Sequence, residues 1–249
     1  MAVTMRTPGH DYDLAAGFLV SEGVITRGEH FSTARYCAGA TDEGQNTYNV
    51  LDVTLAPGVV PPDPRLERSF YTTSSCGLCG KASIESLRTR AAPLRPGRAR
   101  IDAATLTALP ARLRGGQEIF AATGGLHAAG LFSLDGTLLT LREDVGRHNA
   151  VDKVIGATLR ARRFPPDACV LLVSGRASYE IVQKAAVARI SVVAAVSAPS
   201  SLAVSLAAAM GVTLVGFLRG EGFNVYSHPR RVAGASRAKT RAKTRPKKR

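Results

Sequence analysis

The chain contains no tryptophan, only four cysteines and few aromatic residues, which make up 6% of its 249 residues. Four cysteines are too few for a disulfide-stabilised scaffold in a chain of this length. A bilayer span needs roughly 20 apolar residues, and the longest apolar runs, such as ISVVAAVSA at 190–198, are far shorter. The start, MAVTMRTPGHDYD, lacks the basic and then apolar pattern of a signal peptide. We therefore expect a cytoplasmic globular protein that does not cross a membrane.

Acidic residues are also scarce, since 33 Lys and Arg face 19 Asp and Glu and give a formal net charge of +14. Residues 233–249, AGASRAKTRAKTRPKKR, hold eight of the basic residues and no acidic one, so the rest of the chain carries +6. Such a segment is typical of a disordered tail. We favour a solvated tail over an arm that binds nucleic acid, because charge without interleaved aromatic residues supports only salt-sensitive, sequence-independent binding.

The pattern of apolar residues predicts an α/β protein with a smaller α+β section at its N-terminus. The first section, residues 1–92, contains a predicted helix within 10–25 and a strand within 46–55. A Pro- and Arg-containing link at 92–100 separates it from the second section, 100–232. There, short apolar strands alternate with helices, which is typical of buried parallel strands in a layered core. We predict helices over 102–122, 145–161 (with Asp144 as its N-cap), 177–189 and 199–210. We predict strands over 169–175, 190–198 and 212–220, and a hairpin over 130–141 that turns at Asp135-Gly136.

The strongest chemical signal is SSCGLCGKAS at 74–83, where Cys76 and Cys79 lie three residues apart and each precedes a glycine. A predicted helix begins near Lys81, and both a helix N-terminus and a nearby Lys lower the pKa of a thiol and favour the reactive thiolate. The pair suits redox exchange, metal binding or transport of sulfur as a persulfide, and its spacing alone does not decide among them. A closed zinc site is disfavoured because only one such pair occurs and the five histidines lack ligand spacing. We predict that Cys37 and Cys169 are structural, with Cys169 buried.

A second candidate is LREDVGRHNAVDKVIG at 141–156, where charged residues crowd a turn that leads into a helix. A spacing of four would pair His148 with Asp152 and Asn149 with Lys153. An acid–base or anion-binding role is one interpretation, because histidine titrates near neutral pH. A capped helix with solvated charges is the other, and the sequence leaves both open.

A third candidate lies where two predicted strands end. VSGRAS at 173–178 leads from a strand into a helix, and VGFLRGEGFNVY at 215–226 places Arg219, two glycines and Asn224 just after an apolar strand. Ligands of open α/β sheets bind at the carboxyl ends of the strands, so we expect these two turns to line one crevice. Simple tight turns are the alternative. Neither segment matches the GxGxxG or GxxxxGK[ST] patterns, which disfavours an ordinary NAD or ATP site.

Six segments together point to a known family: TPGHDYDLAAGFLVSEGVI, SSCGLCG, TGGLHAAGLF, REDVGRHNAVDKVIG, LVSGRASYEIVQKAAVARI and GFLRGEGFNVYSHPRRV. With these segments the chain resembles the FdhD family of formate dehydrogenase accessory sulfur carriers, in order, over about residues 5–232. The resemblance implies a homodimer with a cytidine-deaminase-like α/β core. It further implies sulfur transfer from a cysteine desulfurase to a transiently bound molybdenum cofactor, molybdenum bis(molybdopterin guanine dinucleotide), before the cofactor enters formate dehydrogenase.

The resemblance also implies roles for individual residues. Cys76 matches the persulfide-bearing cysteine, and Cys79 is its partner in the same loop. The stretch that binds the guanine dinucleotide matches these residues of the second section: Phe217, Leu218, Arg219, Gly220, Glu221, Gly222 and Asn224. Two features depart from the family pattern, namely the basic tail and the lack of a strand before AVTMRTP.

Two other functions remain open at this point. The first is a chaperone that binds the molybdenum cofactor without transferring sulfur. The second is a zinc-containing protein that binds nucleic acid through its tail. No metal ligands are assigned in the interpretation that we favour.

Overall fold

The computed structural model describes residues 2–37, 47–61, 84–85, 87–88, 91–95, 97, 100–166 and 168–234. Cys76, Cys79 and the predicted basic tail from residue 235 onward lie outside the described residues. The helices, numbered along the chain, are α1 (Asp11–Ser21), α2 (Ala103–Gly115), α3 (Glu118–Thr123), α4 (Arg147–Arg160), α5 (Tyr179–Val187) and α6 (Ser201–Met210). The strands are β1 (Phe31–Cys37), β2 (Val50–Leu55), β3 (Ile101–Asp102), β4 (His127–Ser133), β5 (Leu138–Asp144), β6 (Cys169–Val173), β7 (Val192–Ala195), β8 (Thr213–Arg219), β9 (Gly222–Ser227) and β10 (Val232–Ala233).

A six-stranded mixed sheet in the order β5-β4-β6-β7-β8-β9 organises the fold. Its middle strands β6, β7 and β8 are parallel, and β4 and β9 pair antiparallel with β6 and β8 on either side of them. The edge strand β5 pairs antiparallel with β4. The predicted α/β class, the buried parallel strands and the hairpin around Asp135-Gly136 are therefore confirmed. Among the described residues, no helix combines the length and apolar composition that a membrane crossing requires.

Each face of this sheet carries its own apolar core, because successive strand side chains point to opposite faces. Leu171 and Val173 of β6 lie in the core covered by α1, α4, α5 and α6. Val170 and Leu172 lie in the opposite core, covered by α2. Cys169 is buried, as expected. Thus α1, from the first predicted section, shares a core with helices of the second.

The hairpin of β1 and β2 forms a separate two-stranded sheet beside α1. Tyr36 of β1 donates its hydroxyl to Oδ2 of Asp11 at 2.8 Å, which joins the hairpin to the helix. Burial, followed by this hydrogen bond, raises the pKa of Tyr36 to about 12. Helix α1 and strand β2 lie within the predicted spans, 10–25 and 46–55.

The segment 102–122 is helical, as predicted, but it forms two helices, α2 and α3, with a break at Gly116 and Gln117. Asp102 caps α2 by accepting a hydrogen bond from the amide of Ala104. Glu143 of β5 accepts from the amides of Ile119 and Phe120 at 2.9 and 2.8 Å, so a distant strand holds the first turn of α3.

The prediction that Asp144 is the N-cap of the next helix is wrong, since Gly146 holds that position. Asp144 is fully buried, and its Oδ2 lies 2.6 Å from Nζ of Lys153. Its Oδ1 accepts hydrogen bonds from the amide of Gly146 and the side chain of Asn149. Both Asn149 and Lys153 thus converge on this carboxylate.

Asp152 likewise makes its contacts across helices. It lies 2.8 Å from Nζ of Lys184 on α5 and accepts a hydrogen bond from Ser21 on α1 at 2.6 Å. The predicted pairs at a spacing of four therefore give way to contacts outside the helix: Asn149 and Lys153 contact Asp144 of β5, and Asp152 contacts α1 and α5.

Helices α1 and α4 cross with their backbones in contact at Gly17 and Gly156. A Cβ atom at Gly17 would overlap the carbonyl of Asp152, and one at Gly156 would overlap the carbonyl of Asp13. Next to the crossing, the buried carboxylate of Asp13 pairs with Arg142 at 2.9 Å and with Arg160 at 2.6 Å.

We expect Gly156→Ala to destabilise the protein by about 2–3 kcal/mol, because the added methyl group forces two backbones apart. Urea unfolding followed by circular dichroism measures the change. Gly115→Ala is the matched control, since a Cβ there meets no atom within 4 Å, and it should be neutral or slightly stabilising. Equal stability of the two variants would contradict the close crossing.

Lys153→Met should destabilise the protein by about 3–5 kcal/mol, because it leaves the buried Asp144 carboxylate without its cation. The comparison variant is Arg35→Met, whose exposed partner Asp52 lies 3.4 Å away. That exposed pair should contribute less than about 1 kcal/mol. Chemical unfolding of both variants measures the two losses of stability. Similar losses would show that burial of the Lys153–Asp144 pair does not make it more important for stability than the exposed pair.

Candidate functional site

The parallel strands β6, β7 and β8 end side by side at one edge of the sheet, which we call the carboxyl edge. Main-chain hydrogen bonds join their ends: the amide of Ser197 donates to Gly175 at 3.3 Å, and the amide of Phe217 donates to Ser197 at 3.1 Å. Strand β4 runs antiparallel to β6, so its first residue, His127, lies at the same edge. Open α/β sheets bind ligands at this edge.

The turn between β8 and β9 has an unusual backbone that follows from its sequence. Arg219 pairs with Gly222, and Gly220 follows Arg219 with a φ of 56°. Glycine at the first central position with positive φ is typical of a type II′ turn. Phe217 also has a positive φ, 54°, where the pairing of β8 with β9 becomes irregular. A large side chain in this conformation is rare and breaks the regular alternation of the strand.

A cavity of ≈ 630 Å³ opens beside this turn. One wall is the turn itself, and the other is the first helical turn of α2 together with Gly234. The complete lining is Ala103, Ala104, Thr107, Phe217, Arg219, Glu221, Gly222, Phe223, Asn224 and Gly234.

Five residues of the predicted stretch line this cavity, and two do not. Leu218 is fully buried in the core below α2, and Gly220 shapes the turn without lining the space. Sequence reasoning missed the α2 wall, which Ala103, Ala104 and Thr107 form. The only signal for it was the small residues that follow Asp102 at the start of a predicted helix.

The polar groups of the cavity suit a planar, partly anionic ligand. Arg219 offers a guanidinium fork, which binds phosphate, and lies 5.9 Å from the ring centre of Phe217. Glu221 offers a carboxylate that accepts N–H donors, and Asn224 offers both a donor and an acceptor. Together with the phenyl ring of Phe217, these side chains can make ionic, hydrogen-bonding and stacking contacts with a ligand.

The expectation that 173–178 and 215–226 line one crevice is wrong for this cavity, which no residue of 173–178 lines. Gly216 gives part of the reason, because a Cβ there would lie 2.7 Å from Cδ of Pro199. The chain that follows β7 therefore packs directly against β8 and separates the cavity from the end of β6.

Residues 173–178 instead meet the start of α4. Nε2 of His148 lies 2.8 Å from Oε2 of Glu180 and 3.0 Å from Oγ of Ser178. The hydrogen bond from His148 is the largest cause that lowers the pKa of Glu180. Ser178 also caps α5 by accepting from the amide of Ile181. The second and third sequence candidates thus form one cluster at the carboxyl edge.

His127 lies at the same edge, next to Gly175. The ring of His127 packs beside Gly175, where an added Cβ would lie 3.4 Å from its Nδ1. Burial, then the charges of Arg147 and His148, lower the pKa of His127. Both histidines, whose places the sequence did not determine, therefore lie beside each other at the edge of the sheet.

The predicted persulfide residues, Cys76 and Cys79, lie outside the described residues. Val59 and Ile84, which are described on either side of that segment, both pack against the core that α1, α4, α5 and α6 cover. Across the described ranges, no group of three or more His, Cys, Asp and Glu side chains has an arrangement that could hold a metal ion. This finding does not extend to the two thiols.

The FdhD/NarQ family model matches residues 1–233 of this chain. Sulfur carrier protein FdhD of Streptomyces avermitilis is 59% identical over 240 residues, which cover 94% of this chain and 83% of that protein. The protein of the same name from Mycobacterium tuberculosis is 56% identical over 237 residues, with 93% and 86% covered. A solved structure from Desulfotalea psychrophila, described as a formate dehydrogenase accessory protein, matches with a TM-score of 0.69 at 26% identity and covers 92% of this chain and 82% of its own. The chain belongs to the FdhD/NarQ family.

Proposed function

We propose that this protein is a sulfur carrier that serves formate dehydrogenase. It accepts sulfur from a cysteine desulfurase on Cys76 and transfers it to the molybdenum cofactor, molybdenum bis(molybdopterin guanine dinucleotide), before that cofactor enters the dehydrogenase. The relatives named sulfur carrier protein FdhD support the sulfur-transfer role. The observation that carries the cofactor assignment is the cavity at the β8–β9 turn, which residues of the family's nucleotide-binding stretch line.

The cavity fits one guanine nucleotide end of this cofactor. Its volume of ≈ 630 Å³ lies within the range of small-molecule sites, about 300–1,000 Å³. The carboxylate of Glu221 can accept the two neighbouring N–H donors of guanine, and Arg219 can bind a phosphate oxygen. The cofactor is the substrate here, held transiently while it receives sulfur.

The sulfur chemistry requires a thiolate and a resolving thiol. The thiolate of Cys76 attacks the outer sulfur of the desulfurase persulfide, so a new S–S bond forms and the desulfurase cysteine leaves as a thiolate. The Cys76 persulfide then passes its outer sulfur to the molybdenum cofactor. In the release path, the Cys79 thiolate attacks the inner sulfur of Cys76, hydrosulfide leaves, and the two cysteines become a disulfide that a cellular dithiol must reduce.

The other parts of the proposal are the homodimer, the desulfurase and dehydrogenase as partners, and the cytoplasm as the location. The homodimer and the partners stay predictions from the resemblance to the family, and the location stays a prediction from the sequence pattern. A chaperone that binds the cofactor without carrying sulfur is the second candidate, because the cavity by itself would serve that role. Loss of the two thiols distinguishes these functions. A chaperone would keep its activity without Cys76 and Cys79, whereas a sulfur carrier would lose it.

Cys76→Ala should abolish sulfur loading when the protein is incubated with a cysteine desulfurase and free cysteine. Intact mass spectrometry after alkylation detects the loaded form, which is heavier by one sulfur atom than the alkylated control. Cys79→Ala should still load but should release little hydrosulfide. Full loading of the Cys76→Ala variant would overturn the assignment of the carrier residue.

Ala104→Leu should weaken the binding of guanosine diphosphate by about tenfold or more, because the larger side chain fills the α2 wall of the cavity. Isothermal titration calorimetry measures the affinity. Ala121→Leu, an equal enlargement at an exposed position of α3, is the control and should bind as the parent protein does. If the Ala104→Leu variant bound guanosine diphosphate as tightly as the parent protein, the placement of the nucleotide in this cavity would be wrong.

A further inference from the structure

The basic tail of residues 235–249 follows directly on a residue that lines the nucleotide cavity, and the proposed function does not use it. Gly234, the last described residue, belongs to the cavity lining. A Cβ atom placed on Gly234 would lie 3.7 Å from Cβ of Ala103, in the first turn of α2. The tail therefore begins at the α2 wall of the cavity.

Contacts within the fold fix the chain immediately before the tail. Strand β10 pairs in parallel with β3, and Val232 of β10 is buried in the core that α2 covers. The buried side chain of Arg231 donates hydrogen bonds to the carbonyl oxygens of Gly211 at 2.8 Å and Arg95 at 3.2 Å. The starting point of the tail is thus a fixed part of the fold, whatever conformation the tail takes.

The covalent chain limits the distance between the cavity and the first basic residues of the tail. Arg237 is three residues beyond Gly234, so their Cα atoms are at most about 11 Å apart. Lys239 is five residues beyond Gly234, which allows at most about 18 Å. These limits hold for every conformation of the tail, and the long side chains add further reach. The first two cations of the tail are therefore tethered close to the cavity.

The cavity itself provides little positive charge for an anionic ligand. Among the described residues that line it, Arg219 is the only cation and Glu221 the only carboxylate, so the two charges cancel. A nucleoside diphosphate carries about two to three negative charges near neutral pH, and the proposed function assigns Glu221 to the base. Asp102 adds a further carboxylate beside the wall, because its Oδ1 would lie 3.9 Å from a Cβ atom on Gly234. Arg219 alone thus leaves most of the phosphate charge without a cation.

The composition of the tail supplies the positive charge that the lining lacks. Residues 233–249 hold eight Lys and Arg and no acidic residue, so no carboxylate side chain within the tail neutralises them. Arginine and lysine side chains both bind phosphate oxygens through charge-assisted hydrogen bonds. Tethering at Gly234 gives these side chains a high effective concentration at the cavity, and this effect needs no fixed conformation of the tail.

We propose that the basic tail of residues 235–249 binds the phosphate groups of the nucleotide whose base lies in the cavity. This inference rests on the proposed function and narrows the ligand to one that carries charged phosphate groups next to its nucleoside. The α2 wall and Phe217 hold the base, Arg219 binds one phosphate oxygen, and the cations of the tail neutralise the remaining charge. The tail contributes to the affinity for the ligand and takes no part in the sulfur chemistry.

Substitution of the four tail arginines tests this role in the full-length protein. The tail variant combines Arg237→Gln, Arg241→Gln, Arg245→Gln and Arg249→Gln. Its affinity for guanosine diphosphate at low salt should fall by about fivefold or more, because several exposed ion pairs with phosphate are lost. Its affinity for uncharged guanosine should not change. The difference for guanosine diphosphate should shrink as salt is added, since salt screens exposed charges. Isothermal titration calorimetry measures both affinities.

The matched control removes four arginine charges from the opposite side of the sheet. The body variant combines Arg27→Gln, Arg35→Gln, Arg162→Gln and Arg163→Gln, all at exposed positions. These residues lie between α1 and β1, in β1 and just after α4, and these elements pack on the sheet face away from α2. Because distant exposed charges are screened, its affinity for guanosine diphosphate should stay within about twofold of the parent value. Circular dichroism and thermal unfolding establish that both variants fold.

Three results would overturn the inference. The first is equal affinity of the tail and body variants for guanosine diphosphate, which is what a tail that contacts only solvent predicts. The second is an equal loss of affinity for guanosine diphosphate and guanosine, since the tail would then not act on the phosphates. The third is a tail variant that keeps its affinity for guanosine diphosphate but loses binding of an RNA oligonucleotide, which would make a separate polyanion the ligand of the tail.

Each of these results leaves the proposed function standing, provided that Ala104→Leu still weakens the binding of guanosine diphosphate. A parent protein that binds neither guanosine diphosphate nor guanosine is a different outcome. It would contradict the placement of the nucleotide in the cavity, and the inference about the tail would fail with it.

Discussion

The backbone contact between α1 and α4 is the constraint on which one side of the molecule depends. Because Gly17 and Gly156 bring the two helices together without side chains between them, the polar residues next to the crossing have no access to water. Asp13 and Asp152 are consequently buried and need cations from β5, α4 and α5, which Arg142, Arg160 and Lys184 supply. The crossing thus fixes α4 both along its axis and in rotation. The start of α4, with Arg147 and His148, takes its position at the sheet edge from this contact.

The carboxyl edge carries two chemically different places. The cavity at the β8–β9 turn has the phenyl ring of Phe217, a carboxylate and an amide, which suit a base. The cluster at the start of α4 has instead an imidazole, His148, that contacts a carboxylate, Glu180, at 2.8 Å. The segment after β7 lies between them and joins the strand ends through main-chain hydrogen bonds.

Much of the sheet could be predicted from the sequence because its signals are local. CVLLV of β6 is a continuous apolar run, which is typical of a strand that is buried on both faces. The dipeptide Asp135-Gly136 is a direct signal for the turn of the β4–β5 hairpin. The break between α2 and α3 could not be found in this way, because Glu143 of a distant strand stabilises the new helix start. The prediction that Asp144 caps α4 was wrong for a similar reason. The ion pair of Asp144 with the buried Lys153 outweighs the preference of aspartate for a helix N-cap. The α2 wall of the cavity was missed because Ala104 and Asn224 meet only in the folded chain. The sequence alone suggested Arg219, Asn224 and the two glycines of the turn, while Phe217, Leu218, Glu221 and the roles of the thiols came from the resemblance.

The strand ends at the carboxyl edge are held together by main-chain atoms of Gly175, Ser197 and Phe217. A substitution of a neighbouring side chain changes the contacts that the carboxyl edge offers to a ligand, but it removes none of these main-chain hydrogen bonds. Relatives can therefore exchange side chains around the cavity, and so change their ligand preference, while the strand ends keep their mutual positions. Gly216 is the exception, because Pro199 occupies the space that any larger residue would need. Across the family, evolutionary variation should be broad at residues such as Thr107 and narrow at this glycine.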